Sequence, residues 1–242
     1  MTDSPELSII IPVFNEPDNI GPTLRRIEAA VGTPHEILVV YDFDADTTVP
    51  VARKLQEALP SLRLHRNDLG RGVLNAMKAG IDASTAPLVL ITMADGSDEM
   101  DRVDDMARLG QGGAAVVAGS RYMKGGRQIG GPPLKRLLSR TAGLSLHWLA
   151  GVPIHDATNN FKLYRRDFLD SVTIESTGGF ELALELTAKA SRDGLPMAEV
   201  PTTWRDRSAG ESRFQLRAWL PRYLRWYLYL FRSRIRRLLP GA

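Results

Sequence analysis

The stretch LSIIIPVFNEPDNIGPTLRRIEAAVGTPHEILVVY, residues 7–41, decides the architecture. Leu7–Pro12 is an apolar run of strand length. Asn15 and Pro17 then mark a helix start, where the N–H that proline lacks would have had no intrahelical partner. Ile20, Leu24 and Ile27 follow on one helical face. Glu36–Tyr41 is a second apolar run. A strand, an amphipathic helix and a second strand buried on both faces are the unit of a parallel sheet covered by helices.

The alternation continues. A helix is expected after "DFDADTT" through Leu59, a short strand over Leu62–His65, and a helix over Gly70–Ala83. A strand over Leu88–Met93, a helix over Met100–Leu109 and a strand over Ala115–Gly119 complete this half. In such sheets ligands collect beyond the carboxyl ends of the strands. Asn15, Glu16, Asp42, Asp44, Asp46 and Asp95 all follow such ends. The second half reads differently. "YMKGGRQIGGPP" (122–133) is a glycine-rich basic loop, and Pro133–Ala150 a helix. Asn160–Arg165 is a strand, Gly179–Arg192 a helix, and Met197–Arg205 one strand whose proline places it at a sheet edge.

The chain has 242 residues, 43% hydrophobic and 24% charged, enough for one sizeable core. Cysteine is absent, which excludes disulfides and thiolate metal sites. The start is acidic and polar, unlike a secretory leader. No apolar run approaches the roughly 20 residues that span a bilayer. The net charge of +3 conceals an asymmetry: after Glu211 come eight Arg and no acidic residue, so the preceding chain is acidic on balance. On a helical wheel started at Leu216, Trp219, Leu220, Tyr223, Leu224, Tyr227, Leu230, Phe231 and Leu238 share one side. Arg222, Arg225, Arg232 and Arg236 take the other. Such a helix suits a membrane interface; packing on the core with a solvated basic face is the plainer alternative. Nucleic-acid binding is a weaker use of the same arginines and is not expected.

Three constellations carry chemistry. Carboxylates after the first two strands can accept hydrogen bonds from a nucleobase or ribose, although Asp also serves loops and helix caps. In "TMADGSDE" (92–99), Asp95 suits a hard divalent cation that takes oxygen ligands and bridges phosphates. Ser97 or Asp98 could instead cap the next helix. "GSRYMKGGRQIGGPPLKRLLSR" (119–140) offers Arg121, Lys124, Arg127, Lys135, Arg136 and Arg140 for phosphate oxygens. There is no P-loop, no G-x-G-x-x-G after a strand, no G-x-S-x-G and no H-E-x-x-H.

The ordered series "SIIIPVFNE", "EILVVYDFDADTT", "MADGSDE", "GSRY", "KRLLSR", "DATNNFKLYRRDFL", "GGFELALEL" and "AEVPTTWRDRSAGESRF" resembles family 2 glycosyltransferases of the GT-A fold. Within them it is similar to the dolichol-phosphate and polyprenyl-phosphate mannosyltransferase group. The resemblance spans residues 7–215. It implies a nucleotide-diphosphate sugar donor, a polyprenyl-phosphate acceptor, and Mg2+ or Mn2+. It places base and ribose on Pro12, Glu16, Asp42 and Asp44. It places the metal on Asp95 and Ser97, with Asp98 as a further candidate, and the donor diphosphate and acceptor phosphate on Arg121, Lys135 and Arg207, with Ser139 nearby. Two positions depart from the pattern: the usual "DDGS" is "YDFD", and Met93 replaces the first Asp of the D-x-D metal motif.

These readings give a GT-A catalytic domain over 1–212 and a basic membrane-interface helix over 213–242. The expected enzyme is an inverting polyprenyl-phosphate glycosyltransferase, peripheral on the cytoplasmic face of the cell membrane, using a donor of GDP-mannose or UDP-glucose type. The alternatives are a family 2 transferase with a saccharide or soluble acceptor and Glu181 as base, and a non-catalytic sugar-nucleotide-binding protein.

Overall fold

A computed structural model describes residues 4–206 and 216–238. A seven-stranded sheet has the order β3-β2-β1-β4-β7-β5-β8. Its strands are β1 (Leu7–Pro12), β2 (His35–Tyr41), β3 (Leu62–Arg66), β4 (Leu88–Ile91), β5 (Val116–Ser120), β7 (Lys162–Arg165) and β8 (Met197–Pro201). β1 pairs in parallel with β2 and β4, and β2 with β3. β7 inserts antiparallel between β4 and β5, and β8 closes the edge parallel to β5.

Both faces of the sheet are covered. Ile9 and Ile11 of β1 pack with Ile20, Leu24 and Ile27 of α1 (Pro17–Ala30), beside α2 (Thr48–Gln56) and α4 (Val103–Gln111). Ile10, alternating to the other face, packs with α3 (Val73–Ala83), α6 (Arg166–Ser171) and α7 (Leu182–Arg192). A Cβ on Gly80 of α3 would lie 2.5 Å from Ile10, so that helix approaches the sheet only as glycine allows. A third cluster joins α5 (Pro133–Trp148), α7 and α8 (Leu216–Leu238) through Leu146, Leu184, Trp226 and Leu230.

Several expectations are corrected. The 122–133 segment is not all loop: β6 (Arg127–Ile129) pairs in parallel with β9 (Thr203–Arg205). The strand expected over 197–205 is therefore two, broken after Pro201, with only β8 at the main sheet's edge. β4 ends at Ile91, and a 3-10 turn over Met100–Arg102 precedes α4. α7 starts at Leu182 rather than Gly179, because Gly179 has φ +137° and its N–H is taken by the Glu181 carboxylate. The apolar stripe of α8 mostly faces the body: Leu230 is buried, Tyr223, Tyr227 and Phe231 pack against the same cluster, and Trp226, outside the stripe named above, is buried beside them. Leu220, Leu224, Leu228 and Ile235 remain exposed. No helix among the described residues is long and apolar enough to cross a membrane.

Candidate active site

The carboxyl ends of β1, β2 and β4 open into a cleft of about 970 Å³. Pro12, Glu16 and Asp42 line one end. The side-chain N–H of Asn67 donates to one Asp42 oxygen at 2.7 Å and the Gly72 N–H to the other at 2.8 Å. A carboxylate has about four lone-pair sites, so these bonds orient Asp42 without exhausting it. Asn19 likewise donates to Glu16 at 2.6 Å. Phe14 lines the same end, its ring 5.6 Å from Phe43 in edge contact, and the Arg71 guanidinium lies 4.9 Å over Phe43. Asp44 departs from expectation: it does not line the cleft, is largely exposed, and faces Arg66 at 3.6 Å. Asp46 is structural, buried and accepting the N–H groups of Asn15 and Thr48.

The loop after β4 is pinned to α1. The Thr23 hydroxyl donates to the Ala94 carbonyl, and Arg26 donates to the carbonyls of Gly96 and Asp98. Asp95, Ser97 and Asp98 all line the cleft, as does Met93. One Asp95 oxygen accepts the Ser97 N–H at 3.1 Å, which shapes the turn. Asp98 is not a helix cap: no side chain caps the following 3-10 turn. It is buried and accepts the Thr92 hydroxyl at 2.7 Å. Burial first, and then the charge of Asp95, push its carboxyl up to about 7. The buried Ser97 hydroxyl has no hydrogen-bond partner among the described residues. Two crowded carboxyls and an unsatisfied hydroxyl are an oxygen-donor set suited to a hard divalent cation. The set is sparse, since no group of three or more acidic or histidine side chains able to hold a metal occurs among the described residues. Mg2+ tolerates this, often being held by one or two carboxylates plus substrate phosphates and water.

The opposite wall is basic. Arg121 leaves the end of β5 and lines the cleft. Its Nε donates to Asp156 at 2.7 Å and one terminal nitrogen to the other Asp156 oxygen at 3.0 Å, a two-pronged pair in which Asp156 is fully buried. Burial would raise the Asp156 carboxyl, but the charge and hydrogen bonds of Arg121 outweigh it and hold it below the ordinary range. Lys135 and Ser139, one turn apart on α5, line the cleft as well, and Ser139 hydrogen-bonds the Tyr122 hydroxyl. Arg207 lies outside the described residues. Glu181 is no base: it is buried, and its oxygens accept the N–H groups of Thr177, Gly178 and Gly179. It fixes the loop that presents Phe180 to the cleft.

Sequence reasoning thus brought together nine residues that share one cleft and missed the support behind them. Asp156 lay in a quoted motif without a role, and only an acidic residue shortly before a strand hinted at it. Phe43 and Arg71 gave no periodic signal.

Residues 8–173 match the family described as "Glycosyl transferase family 2". The polyprenol monophosphomannose synthase of Mycolicibacterium smegmatis is 32% identical over 85% of this chain and 79% of its own. The undecaprenyl-phosphate mannosyltransferase of Micrococcus luteus is 29% identical over 84% and 85%. Among solved structures, glucosyl-3-phosphoglycerate synthase from Mycobacterium tuberculosis, in complex with Mn2+, UDP and phosphoglyceric acid, superposes with a TM-score of 0.66. The match covers 96% of this chain and 78% of that one at 18% identity, a likeness of fold.

Proposed function

The chain belongs to glycosyl transferase family 2, and on that premise we propose that it transfers a hexose, with inversion, from a nucleotide-diphosphate sugar to a polyprenyl phosphate at a membrane surface. The observation that carries this reading is the two-ended cleft. Carboxylates and Phe14 at the strand ends suit a nucleoside, and Arg121, Lys135 and Ser139 opposite suit phosphate. Beyond the basic wall the lining turns apolar, with Leu138 and Ala142 of α5 and Trp219, Leu220 and Tyr223 of α8. Nine of the thirteen large hydrophobic residues exposed among the described residues are Leu134, Leu137, Leu138, Trp148 and Leu149 on and just after α5, and Leu220, Leu224, Leu228 and Ile235 on α8. Exposed apolar patches of this kind mark contact surfaces. Interleaved with Lys135, Arg136 and Arg225, they suit an anionic lipid leaflet. The donor we favour is of GDP-mannose or UDP-glucose type, the site the cytoplasmic face of the membrane, and the division of labour a catalytic body over 1–212 with the basic helix over 213–242.

A phosphate monoester has its second pKa near ~6, so at neutral pH the acceptor is largely a dianion and attacks the sugar C1 without a protein base. Its oxygen forms the new bond to C1 as the bond from C1 to the donor diphosphate breaks, and the nucleoside diphosphate leaves with the electron pair. The tied-up Glu181 agrees with this base-free route. Arg121 and Lys135 orient the acceptor and offset anion repulsion, an effect of positioning and electrostatics. A divalent cation held by Asp95, with Ser97 and Asp98 beside it, would supply charge neutralisation on the leaving diphosphate. A panel of labelled sugar nucleotides, assayed with purified protein, Mn2+ and a polyprenyl phosphate, tests the reading: one donor should label lipid. Transfer from none of them would refute it.

The sparse ligand set leads to a metal prediction. Calorimetry should find weak Mn2+ binding to the donor-free protein and firm binding once nucleoside diphosphate is present. Met93→Asp should strengthen the donor-free site, because Met93 already faces the cleft. Tight Mn2+ binding by the unmodified, donor-free chain would show that its own groups complete the site.

The exposed patch leads to another. Leu137→Ser combined with Trp148→Ser should weaken sedimentation with anionic vesicles by about tenfold or more, since each side chain buries apolar area on lipid. Unchanged sedimentation would exclude α5 from the membrane contact. Truncating α8 is a poorer test, because it would strip Trp226 and Leu230 from the core.

A further inference from the structure

Lys162 opens β7 in the middle of the sheet and is fully buried, yet it does not line the cleft. Its ammonium donates to three backbone carbonyls: Asp156 at 3.1 Å, Ala157 at 3.2 Å and Asn159. An ammonium has three N–H donors and no acceptor, so this loop satisfies it completely. Burial pulls the ammonium down to about 7 against the opposing pull of Asp156, the mark of a costly group. A methionine of similar length would fill the same place in the sheet without that cost. What the cost secures is the path of residues 156–159.

That path holds the basic wall. The Asp156 carboxylate grips Arg121 by its Nε, a terminal nitrogen and its backbone N–H. The Asn159 N–H and Thr158 hydroxyl donate to the same carboxylate, and the Asn159 side chain donates to the Gly119 carbonyl at 2.9 Å. Thr158 and Asn159 themselves line the cleft. The chain of contacts runs from Lys162 through three carbonyls to Asp156, and from Asp156 to the guanidinium.

We propose that Lys162 is a positioning residue, which sets the Arg121 guanidinium against the acceptor phosphate by gathering the 156–159 loop. The inference rests on the assignment of Arg121 to that phosphate. Without the three carbonyl bonds the loop and Asp156 can relax, and Arg121 loses its direction while keeping its charge.

The test is a kinetic cycle on the full chain with donor, Mn2+ and polyprenyl phosphate. Lys162→Met should lower kcat by about 10²-fold, as misplacements near 1 Å do, with the donor KM nearly unchanged. Lys162→Arg, which keeps charge and donors, should recover part of the loss. Arg121→Lys should also be slow, and the double variant Lys162→Met/Arg121→Lys should be no slower than the worse single one, because both changes disable one device. A Lys162→Met enzyme with lowered Tm and normal kcat would make Lys162 merely structural and overturn the proposal, as would losses that multiply in the double variant. Should Lys162→Met not fold, Lys162→Gln, which keeps two N–H donors, is read by the same criteria. Normal acceptor kinetics in both Arg121→Lys and Lys135→Ala would instead refute the acceptor-phosphate assignment, a failure distinct from a slow Arg121→Lys beside an unimpaired Lys162→Met.

Discussion

Asp95→Asn should lower sugar transfer by about 10²–10³-fold, the usual cost of deleting one group that stabilises charge in the transition state. Stability should scarcely change, within about 0.5 kcal/mol, because the substitution is close to isosteric and partly exposed. Asparagine keeps an oxygen to accept the Ser97 N–H that shapes the turn. Thr23 and Arg26 still hold the loop by its backbone carbonyls. What would be lost is the negative charge proposed to hold the cation against the donor diphosphate. Turnover that survives at saturating metal would remove Asp95 from the metal role.

Arg121→Ala should have the largest effect on stability, costing roughly 3–5 kcal/mol, because it leaves the fully buried Asp156 carboxylate without its cation. A fall in Tm would accompany the loss of turnover, so the variant cannot report on catalysis alone. Lys135→Ala, at a half-buried position of α5 lining the cleft and outside the Arg121–Asp156 pair, is the cleaner probe of phosphate binding, and its loss should fall on kcat and kcat/KM together. The pair also gives a pH dependence. The Asp156 pKa is depressed in the folded protein, so its stabilisation is fully present above the unfolded value of ~3.9 and is lost as pH falls through the lower folded value. Acid unfolding of the native chain should therefore show a component below pH ~4 that Arg121→Ala lacks. Superimposable acid transitions in the two proteins would contradict the assignment.

The parallel half of the fold was legible because its signals are local. Apolar runs of strand length alternate with helices of a single apolar face, and each strand end is punctuated by Asn, Pro or Asp. The second half was not, for reasons of geometry. β6 is three residues long and exists only because Thr203–Arg205 arrives from far along the chain to pair with it. The break after Pro201 follows from the same pairing. At the site, Asp95, Asp42 and Glu16 were readable from their places after strands. Asp44 has the same local sequence signal but turns to Arg66, and nothing in its neighbours' identities reports that direction. Glu181 was the carboxylate candidate for a base in the alternative reading with a saccharide or soluble acceptor. Three backbone N–H groups, invisible in a string of letters, make it the anchor of the 177–179 loop instead. Lys162 was one basic residue at a strand start, and its three carbonyls emerge only once the 156–159 loop has folded over it.

The helix at the C-terminus shows how periodicity can be right about a face and silent about its neighbour. The wheel grouped Tyr223, Tyr227 and Leu230, and these do share a side. That side meets α5 and α7, so the lipid-facing candidates are the residues at its margin and the leucines of α5, which the basic character of Lys135 and Arg136 had overshadowed.

The proposed polyprenyl-phosphate acceptor is tested by the partition of labelled sugar after reaction. Purified protein, Mn2+ and a labelled sugar nucleotide are incubated with polyprenyl phosphate in vesicles, and in parallel with phosphoglyceric acid or a free oligosaccharide. Label is expected in the organic extract only with the lipid acceptor, in a product whose sugar is released by mild acid and whose anomeric configuration is inverted relative to the donor. Label confined to the aqueous phase, on the soluble phosphate or the oligosaccharide, with none in the lipid, would contradict it.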